Sequence, residues 1–453
     1  MHTTPYTTPN LTPERVREIA GTLDLRSLPP DFYANPYPVY AELREHEPVK
    51  LMPDGSYFLT RHADLMAVYR DAQTFSSDKK VEFTPKYNHG PYGGDHGAGG
   101  NNDAPLLQHH TTSLVFNDPP LHTRVRKLIM GALTRRVIAD LEPGLIALVD
   151  GLLDTIEAKG GGDLIEDFAS AIPVEIIGNL LGVPHADRGP LRGWSLAILG
   201  ALEPRLTPQQ EALGNQSVSE FTAYLKELVA DRRLKPGDPE RDVLTRLIQG
   251  EPDPRNGAIS GDQLSEQELL QNCVFILNAG HETTTNLIGN ALVTLQEWPQ
   301  HKAQLLASLH HTRSDAGTQE ALMTLAADEF LRFESSNQLG NRRAVRDCVV
   351  GGVALAAGTL VTLCIGAANR DPAQFREPDV LDLTRANNRH LAFGFGIHQC
   401  AGLSLARLEG RVAIARFLQR FGGYELTAAP VRGGRARFRG FLHAPFSVGR
   451  SPP

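Results

Sequence analysis

The 453-residue sequence predicts a mainly α-helical protein with a small β region. Most segments place apolar residues three to four positions apart, which is typical of amphipathic helices. Short runs of strand-like composition occur mainly near the start of the chain and late in it. One helical pattern, from Ser265 to Trp298, is much longer than the others. These three observations favour a helical fold that contains one long helix.

Composition and charge exclude several classes of protein. The chain is 41% hydrophobic and 21% charged, which is ordinary for a globular protein with a large core. No internal repeat or linker divides it, so we expect a single domain over residues 1–453, with residues 1–30 a loosely ordered N-terminal segment. The formal net charge of -7 argues against nucleic acid as the main partner, because phosphate binding requires a basic surface.

The first elements follow from local spacing. Strands are expected at "VKLMP" and "YFLTR", and helices are expected in five further segments, which are "PERVREIAGTL", "PYPVYAELREHE", "HADLMAVYRDAQTF", "RVIADLEPGLIALVDGLLDTIEAKG" and "SVSEFTAYLKELVADRR".

Residues 86–110 interrupt this regular pattern. The segment is rich in Gly and Asn, and its histidines lack the fixed spacing of metal ligands on a regular element; they are His89, His96, His109 and His110. We predict a flexible surface loop, and a functional lid is the alternative.

The long helical pattern begins with "SEQE", in which Ser265 and Glu268 form a capping box. At about 1.5 Å per residue, a continuous helix would be roughly 50 Å long. Its middle reads "AGHETTT", a polar patch within apolar surroundings that is costly unless something requires it. The patch resembles a zinc-protease motif, but Thr285 stands where the second histidine is needed, so we exclude that class.

Residues 348–369 carry no charge and are long enough to cross a bilayer. However, Gly351 and Gly352 separate two short runs rich in Val, Leu and Thr, so we predict a hairpin followed by a buried strand. The N-terminus lacks an apolar signal segment. Four cysteines are too few for a disulfide framework. We therefore expect a cytoplasmic protein without a membrane anchor, and we also expect a monomer.

The stretch "LAFGFGIHQCAG" places Cys400 where a new helical pattern begins. Unpaired N–H groups at a helix start stabilise a thiolate. A single thiolate is too little for zinc or an iron–sulfur cluster, but it suffices for haem iron, because the porphyrin supplies the equatorial ligands. Haem propionates need cationic partners, and candidates are His122, Arg126 and His398.

Four motifs then resemble the cytochrome P-450 family, in its soluble bacterial form, from about residue 36 to 420. The pattern Phe393-Gly394-x-Gly396-x-His398-x-Cys400-x-Gly402 resembles the haem-ligand signature of this family of haem-thiolate monooxygenases. In the expected order, "HTRVR" resembles the propionate-binding helix, "AGHETT" the oxygen-activation segment, and "EFLR" the ExxR pair.

The resemblance implies a mainly α-helical cytochrome P-450 fold, with haem b between the long central helix and the cysteine loop. It implies that Cys400 is the iron ligand and that Glu282 and Thr283 are the acid–alcohol pair that relays protons. The other implied haem-binding residues are His122, Arg126, Ala279, Gly280, Arg342, Phe393, His398 and Gly402.

The chain departs from the family pattern at two places. Glu329 and Arg332 should form a buried structural ion pair, but Val380 stands where an arginine commonly completes a triad. Arg385 is a possible substitute. Ser336 and Asn337 replace a Pro-Val pair in a segment that usually lines the substrate pocket. These residues and Gln338 predict hydrogen bonds to a substrate, or else side chains that turn back to cap the preceding helix.

The implied reaction inserts one oxygen atom from dioxygen into a small organic substrate, which the sequence does not name. Separate ferredoxin and ferredoxin reductase proteins should supply the electrons, docking on a basic face formed by Arg126, Lys127, Arg135 and Arg136. One alternative is a peroxide-driven haem-thiolate enzyme, which would not need the Glu282 and Thr283 pair. Another is a haem-based gas sensor, which would need a signalling segment.

Overall fold

The computed structural model describes residue 8 and residues 10–80, 104–250, 263–310 and 316–449. The α-helices are Pro13–Gly21, Pro30–Ala34, Tyr37–His46, His62–Arg70, Pro105–Thr112, Leu121–Ala132, Arg135–Lys159, Ala171–Leu181, Leu191–Gly200, Pro208–Leu234, Val243–Gln249, Glu266–Glu297, Pro299–His310, Ala316–Phe333, Ile365–Ala368 and Leu403–Arg420. The main strands are Val49–Leu51, Tyr57–Leu59, Phe75–Ser76, Leu339–Ala344, Cys348–Val350, Val353–Leu355 and Leu360–Cys364. Shorter strands are Gly161–Asp163, Glu425–Leu426, Val431–Arg432, Phe441–His443 and Pro445–Ser447.

The chain forms two compact units. The first unit comprises residues 1–75, 142–172 and 283–453, and the second comprises residues 76–141 and 173–282. The helix Glu266–Glu297, called the central helix below, contributes its first part to the second unit and the remainder to the first. The expectation of a single domain stays a prediction.

The central helix agrees with its predicted bounds to within one residue. Its capping box is formed, since the Ser265 N–H donates to Glu268 Oε2 at 2.8 Å and the Glu268 N–H donates to Ser265 Oγ at 3.2 Å. These two bonds satisfy donors that a helix start otherwise leaves without partners. The helix ends at Glu297, shortly before Pro299. The residue that precedes a proline disfavours the helical conformation, so helices commonly end there.

The principal sheet of the first unit is mixed. Tyr57–Leu59 pairs antiparallel with Val49–Leu51 and parallel with Leu360–Cys364, which in turn pairs antiparallel with Leu339–Ala344. Its apolar side chains form part of the core with the helices that pack on it, and Phe58 and Leu363 are fully buried.

The uncharged segment 348–369 is a hairpin followed by a buried strand, as predicted. Cys348–Val350 pairs antiparallel with Val353–Leu355. The turn between them contains Gly351 and Gly352 at φ of +54° and +84°, which glycine adopts without strain. Among the described residues, none of the helices combines the length and the apolarity that a membrane crossing requires.

Two predicted irregular segments contain helices. The helix predicted at "PERVREIAGTL" is present over residues 13–21, where Thr12 caps it and Pro13 suits its first turn, so the expectation of a loosely ordered segment is wrong there. Its buried residues Val16 and Ile19 join the core of the first unit. Residues 1–7 and residue 9 lie outside the described part.

The second correction concerns the predicted surface loop. Residues 86–103 lie outside the described residues, but the end of the segment belongs to the helix Pro105–Thr112. His109 and His110 are buried in this helix, with 2% and 1% of their surface exposed. The apolar pair Leu106 and Leu107 explains the difference, because it gives this short helix a face to bury.

Candidate functional site

The cysteine loop, residues 391–402, holds Cys400 at a fixed position in the first unit. The Cys400 N–H donates to the Phe393 carbonyl oxygen at 2.9 Å, which closes the loop. Gly394 and Gly396 have φ of +62° and +73°, and a Cβ on Gly396 would collide with the Tyr69 carbonyl oxygen. Both positions therefore require glycine. The half-buried Cys400 side chain lies just before the helix Leu403–Arg420.

The other cysteines have different surroundings. Burial raises the pKa of Cys273 and of Cys364 to about 12, so both remain thiols. Cys348 lies in the hairpin, and partial burial raises its pKa as well. Cys400 is the one of the four that lies in a loop at a helix start.

A buried cluster of hydrogen-bonded side chains centred on Glu329 supports the start of the cysteine loop. Arg332 is fully buried and donates Nε and Nη2 to the two carboxylate oxygens of Glu329, each at 2.8 Å. Its remaining donors reach the carbonyl oxygens of Asn369, Pro378 and Val380. All the donor nitrogens of this buried guanidinium therefore have acceptors.

The third member of the triad is Arg385. Its Nε lies 3.1 Å from Glu329 Oε2, whereas Val380 offers only its carbonyl oxygen. Asn388 adds a further donor to Glu329 Oε2 at 3.0 Å. The possible substitute named from the sequence is thus the residue that completes the Glu329 cluster in this chain.

Asn369 connects the Glu329 cluster to the cysteine loop. Its carbonyl oxygen accepts from Arg332, while its side-chain Oδ1 accepts the Leu391 N–H at 2.7 Å. Leu391 is the first residue of the loop. The buried ion pair therefore sets where the loop starts, and the role of Glu329 and Arg332 is structural.

Tyr69 connects Arg342 to the cysteine loop. The Arg342 guanidinium carbon lies 5.4 Å from the centre of the Tyr69 ring, and a Cβ on Gly394 would lie 4.0 Å from Cε1 of that ring. Arg342 Nη1 also donates to the Asn341 carbonyl oxygen at 2.8 Å. Tyr69 was not among the residues predicted from the sequence, because it belongs to no motif.

The remaining predicted residues of the loop are accessible. Phe393 and His398 are half-buried, and the Arg407 guanidinium carbon lies 5.0 Å from the centre of the Phe393 ring. A Cβ placed on Gly402 would meet no protein atom within 4 Å, so protein packing does not require glycine there. A small residue at Gly402 leaves room for a bound group.

The middle of the central helix has an accessible stripe. Most of its residues are buried, but partly or fully accessible ones recur at three- to four-residue spacing, namely Phe275, Ile276, Ala279, Gly280 and Thr283. At about 100° per residue, these positions fall within one sector of the helix. Glu282 is buried beside this stripe.

Gly280 packs closely against a neighbouring helix in the second unit. A Cβ at this position would lie 2.6 Å from Cδ1 of Ile177, which belongs to the helix Ala171–Leu181. In the same unit, His122 is buried and Arg126 is half-buried one turn later on the helix Leu121–Ala132.

The structure thus brings the predicted residues together in two groups. The second unit contains His122, Arg126, Ala279, Gly280 and Glu282. The first unit contains Thr283, Arg342, Phe393, His398, Cys400 and Gly402.

The segment predicted to line the substrate pocket gives a mixed result. Gln338 Nε2 donates to the Ser335 carbonyl oxygen at 2.7 Å and lies 3.3 Å from the Tyr37 hydroxyl. Gln338 therefore turns back towards the end of the preceding helix, which is the alternative interpretation. Hydrogen bonds from Ser336 and Asn337 to a substrate stay a prediction.

Comparison with known proteins gives a consistent result. A family model described as Cytochrome P450 matches residues 200–426. The Biotin biosynthesis cytochrome P450 of Bacillus subtilis is 34% identical over 86% of this chain and 90% of that protein. Vitamin D(3) 25-hydroxylase of Pseudonocardia autotrophica is 36% identical over 85% of this chain and 86% of that protein.

Solved structures agree with these relatives. The crystal structure of P450BioI in complex with hexadec-9Z-enoic acid ligated Acyl Carrier Protein has a TM-score of 0.80 at 31% identity, and the match covers 92% of this chain and 99% of that one. CalO2 also has a TM-score of 0.80, at 27% identity. The predicted mainly α-helical fold is thereby confirmed.

The chain belongs to the cytochrome P450 family. It is a haem-dependent monooxygenase that acts on small organic substrates, and members of the family bind haem b through a cysteine. The side chains described above fit that cofactor: a half-buried cysteine at a helix start, a small residue at Gly402 and an accessible stripe of small and apolar residues.

Proposed function

We propose that Cys400 is the axial ligand of haem b in a monooxygenase that takes its electrons from a separate ferredoxin. The observation that carries the proposal is the cysteine loop, in which Cys400 is held by the Phe393 carbonyl oxygen at the start of a helix. The N–H groups of that helix start favour the thiolate form. The Glu329 cluster keeps the loop in place through Asn369.

The cationic side chains would bind the two propionates. They are Arg342, His398, His122 and Arg126, the residues that the family resemblance implies. Phe393 follows the start of the loop, and its ring would shield the thiolate from water. Ala279, Gly280 and Gly402 would allow close approach, because none of them carries a side chain larger than a methyl group.

Haem, when bound, supplies the activation of dioxygen and the transfer of one oxygen atom to the substrate. The chain must supply protons in a pocket that otherwise excludes water. We assign this task to the Glu282 carboxyl group and the Thr283 hydroxyl, which are adjacent on the central helix beside and within the accessible stripe. Glu282 takes up a proton, and Thr283 Oγ1 holds and passes it.

The overall reaction balances with two electrons and two protons. One oxygen atom enters a C–H bond of the substrate as a hydroxyl group, and the other leaves as water. The Glu282 and Thr283 pair favours this reaction over a peroxide-driven one, because peroxide already carries the two electrons and two protons. For the electrons, we propose a ferredoxin that docks on the exposed side chains of Lys127, Arg135 and Arg136.

The test compares Cys400→Ser with Cys348→Ser, a matched substitution in the hairpin. The reduced wild-type protein with carbon monoxide should show the red-shifted absorption band of a thiolate-bound haem. Cys348→Ser should keep this band, and Cys400→Ser should lose it together with monooxygenation. If Cys400→Ser kept both the band and full turnover, Cys400 would not be the ligand.

A further inference from the structure

Two asparagines on the central helix differ in how many of their side-chain polar atoms form hydrogen bonds. Asn272 Nδ2 donates to the Glu268 carbonyl oxygen at 2.8 Å, and its Oδ1 accepts the Leu114 N–H at 3.0 Å. Asn278 is also buried, with 2% of its surface exposed, and its Nδ2 lies 3.3 Å from His109 Nε2. Asn278 Oδ1, however, has no hydrogen-bond partner among the described residues.

The direction of the hydrogen bonds around His109 determines which side-chain atom of Asn278 has no hydrogen-bond partner among the described residues. Ser113 Oγ donates to the His109 carbonyl oxygen at 2.6 Å, so it presents lone pairs to His109 Nδ1, 3.4 Å away. Gln271 Oε1, another acceptor, lies 3.0 Å from the same nitrogen. Nδ1 therefore carries the proton.

The opposite ring nitrogen must then accept a hydrogen bond. Burial lowers the pKa of His109 to about 4, so the ring is neutral at pH 7 and has only one N–H. His109 Nε2 accepts from Asn278 Nδ2, and the amide cannot flip without placing two acceptors against each other. Asn278 Oδ1 is thus held as an acceptor.

The position of this oxygen on the helix is informative. Gln271, Asn278 and Glu282 are separated by seven and four residues, so they lie along one line of the helix surface. This line borders the accessible stripe that contains Ala279 and Thr283. A buried carbonyl oxygen without a donor is unfavourable, and it lies beside the stripe that carries Thr283.

We propose that Asn278 Oδ1 accepts a hydrogen bond from a hydroxyl or amine group of the substrate, and that His109 and Gln271 are positioning residues that hold the amide in this orientation. The inference rests on the proposed function, since it places the substrate beside the Glu282 and Thr283 pair. It assigns the substrate a donor group one helical turn from these residues. A ketone at the same place would face Asn278 Oδ1 with a second acceptor.

The experiment uses pairs of aliphatic and alicyclic secondary alcohols and the ketones of the same carbon skeletons. Dissociation constants are measured on the haem-loaded protein by the spin-state shift and, independently, by calorimetry. The wild type should bind the alcohol about tenfold more tightly than the ketone, which corresponds to about 1.4 kcal/mol. Asn278→Leu should reduce this ratio to about one.

A second variant keeps the test decisive if Asn278→Leu folds poorly. His109→Leu leaves Asn278 in place but frees its amide to turn, so the alcohol-to-ketone preference should fall severalfold without loss of overall binding. Asn272→Leu is the matched control and should keep the wild-type ratio, because neither polar atom of Asn272 is available to a ligand.

Two results would overturn the inference: equal binding of alcohols and ketones by the wild type, or an unchanged preference in Asn278→Leu. Failure of the proposed function would give a different result. The carbon monoxide band of a thiolate-bound haem would then be missing in the wild type, whatever the alcohol-to-ketone ratio measured by calorimetry.

Discussion

The Glu329 cluster and the middle of the central helix are both buried polar regions, but they differ in how completely their hydrogen bonds are made. In the cluster, Arg332 makes five hydrogen bonds, and the Glu329 oxygens accept from Arg332, Arg385 and Asn388. Only at the edge of the cluster does an oxygen, Asn388 Oδ1, have no partner among the described residues. In the central helix, Asn278 keeps a buried oxygen without a donor among the described residues.

The difference shows what each region does. The Glu329 and Arg332 side chains, whose donors and acceptors are all used, have one arrangement and therefore serve as a fixed support, here for the start of the cysteine loop. A buried polar group with a remaining acceptor is costly to the fold, and for Asn278 we infer that a ligand supplies the missing donor. Mutations in the first region should change stability, and mutations in the second should change binding and chemistry.

The largest effect is expected in the Glu329 cluster. Arg332→Leu would leave the Glu329 carboxylate buried without its main partner, which costs about 3 to 5 kcal/mol. We expect a low yield of soluble, haem-loaded protein. The protein that is recovered should unfold at a lower urea concentration, measured as the midpoint of the far-UV circular dichroism signal. Arg17→Leu is the control, since Arg17 forms an exposed pair with Glu14 that contributes little. Similar midpoints for the two variants would contradict the structural role of the cluster.

Glu409 is a buried acid without a complete set of hydrogen-bond partners, and we expect it to make the stability of the protein depend on pH. It is 2% exposed on the helix Leu403–Arg420, its Oε2 has no hydrogen-bond partner among the described residues, and burial raises its pKa from 4.5 to about 8. The folded state thus holds a proton that the unfolded state loses above pH 4.5. The stability from this group is complete below pH 4.5 and declines as the pH rises to 8.

Glu409→Gln should remove this dependence. Between pH 5 and pH 8 the wild type should lose on the order of 3 kcal/mol more of its unfolding free energy than the variant does. Urea titrations at the two pH values measure the difference. Parallel pH profiles for the two proteins would show that Glu409 has a partner or is ionised in the fold.

A smaller effect is expected at the surface, outside both buried regions. Lys127→Glu and Arg135→Glu reverse exposed charges of the proposed ferredoxin face. At low salt, the rate of reduction by ferredoxin should fall about tenfold, and the difference should shrink at high salt, because screening weakens the attraction. Lys226→Glu on the helix Pro208–Leu234 is the control. Equal rates for all three variants at low salt would place the docking face elsewhere.

Periodicity and capping rules were sufficient for the central helix and for the hairpin at Gly351 and Gly352. The ExxR motif located Glu329 and Arg332, but it left open whether Arg385 or no residue completes the triad, because Val380 stands where an arginine is common. The choice depends on how the loop after Asp379 folds, and loops have no periodicity from which a path could be inferred.

Two features of the second unit were not predicted from the sequence. The Gly- and Asn-rich composition before residue 104 hid the helix Pro105–Thr112, although proline at its first position is a recognised start signal. Gln271 and Asn278 are polar residues seven apart in an apolar run, which places them on one face. Their contact with His109 joins residues about 160 apart in sequence and could not be inferred without the fold.

The most direct test of the proton relay through Thr283 is the ratio of product formed to NADH consumed by Thr283→Ala. It is measured with ferredoxin and reductase on a small molecule that is found, by screening, to shift the spin state of the haem. Removing the hydroxyl should change stability by about 1 kcal/mol or less. The ratio should fall severalfold while NADH is still consumed and hydrogen peroxide accumulates. Thr284→Ala, which replaces the next threonine outside the accessible stripe, should keep the wild-type ratio. An unchanged ratio in Thr283→Ala would make Thr283 structural and contradict the distinction between the two regions.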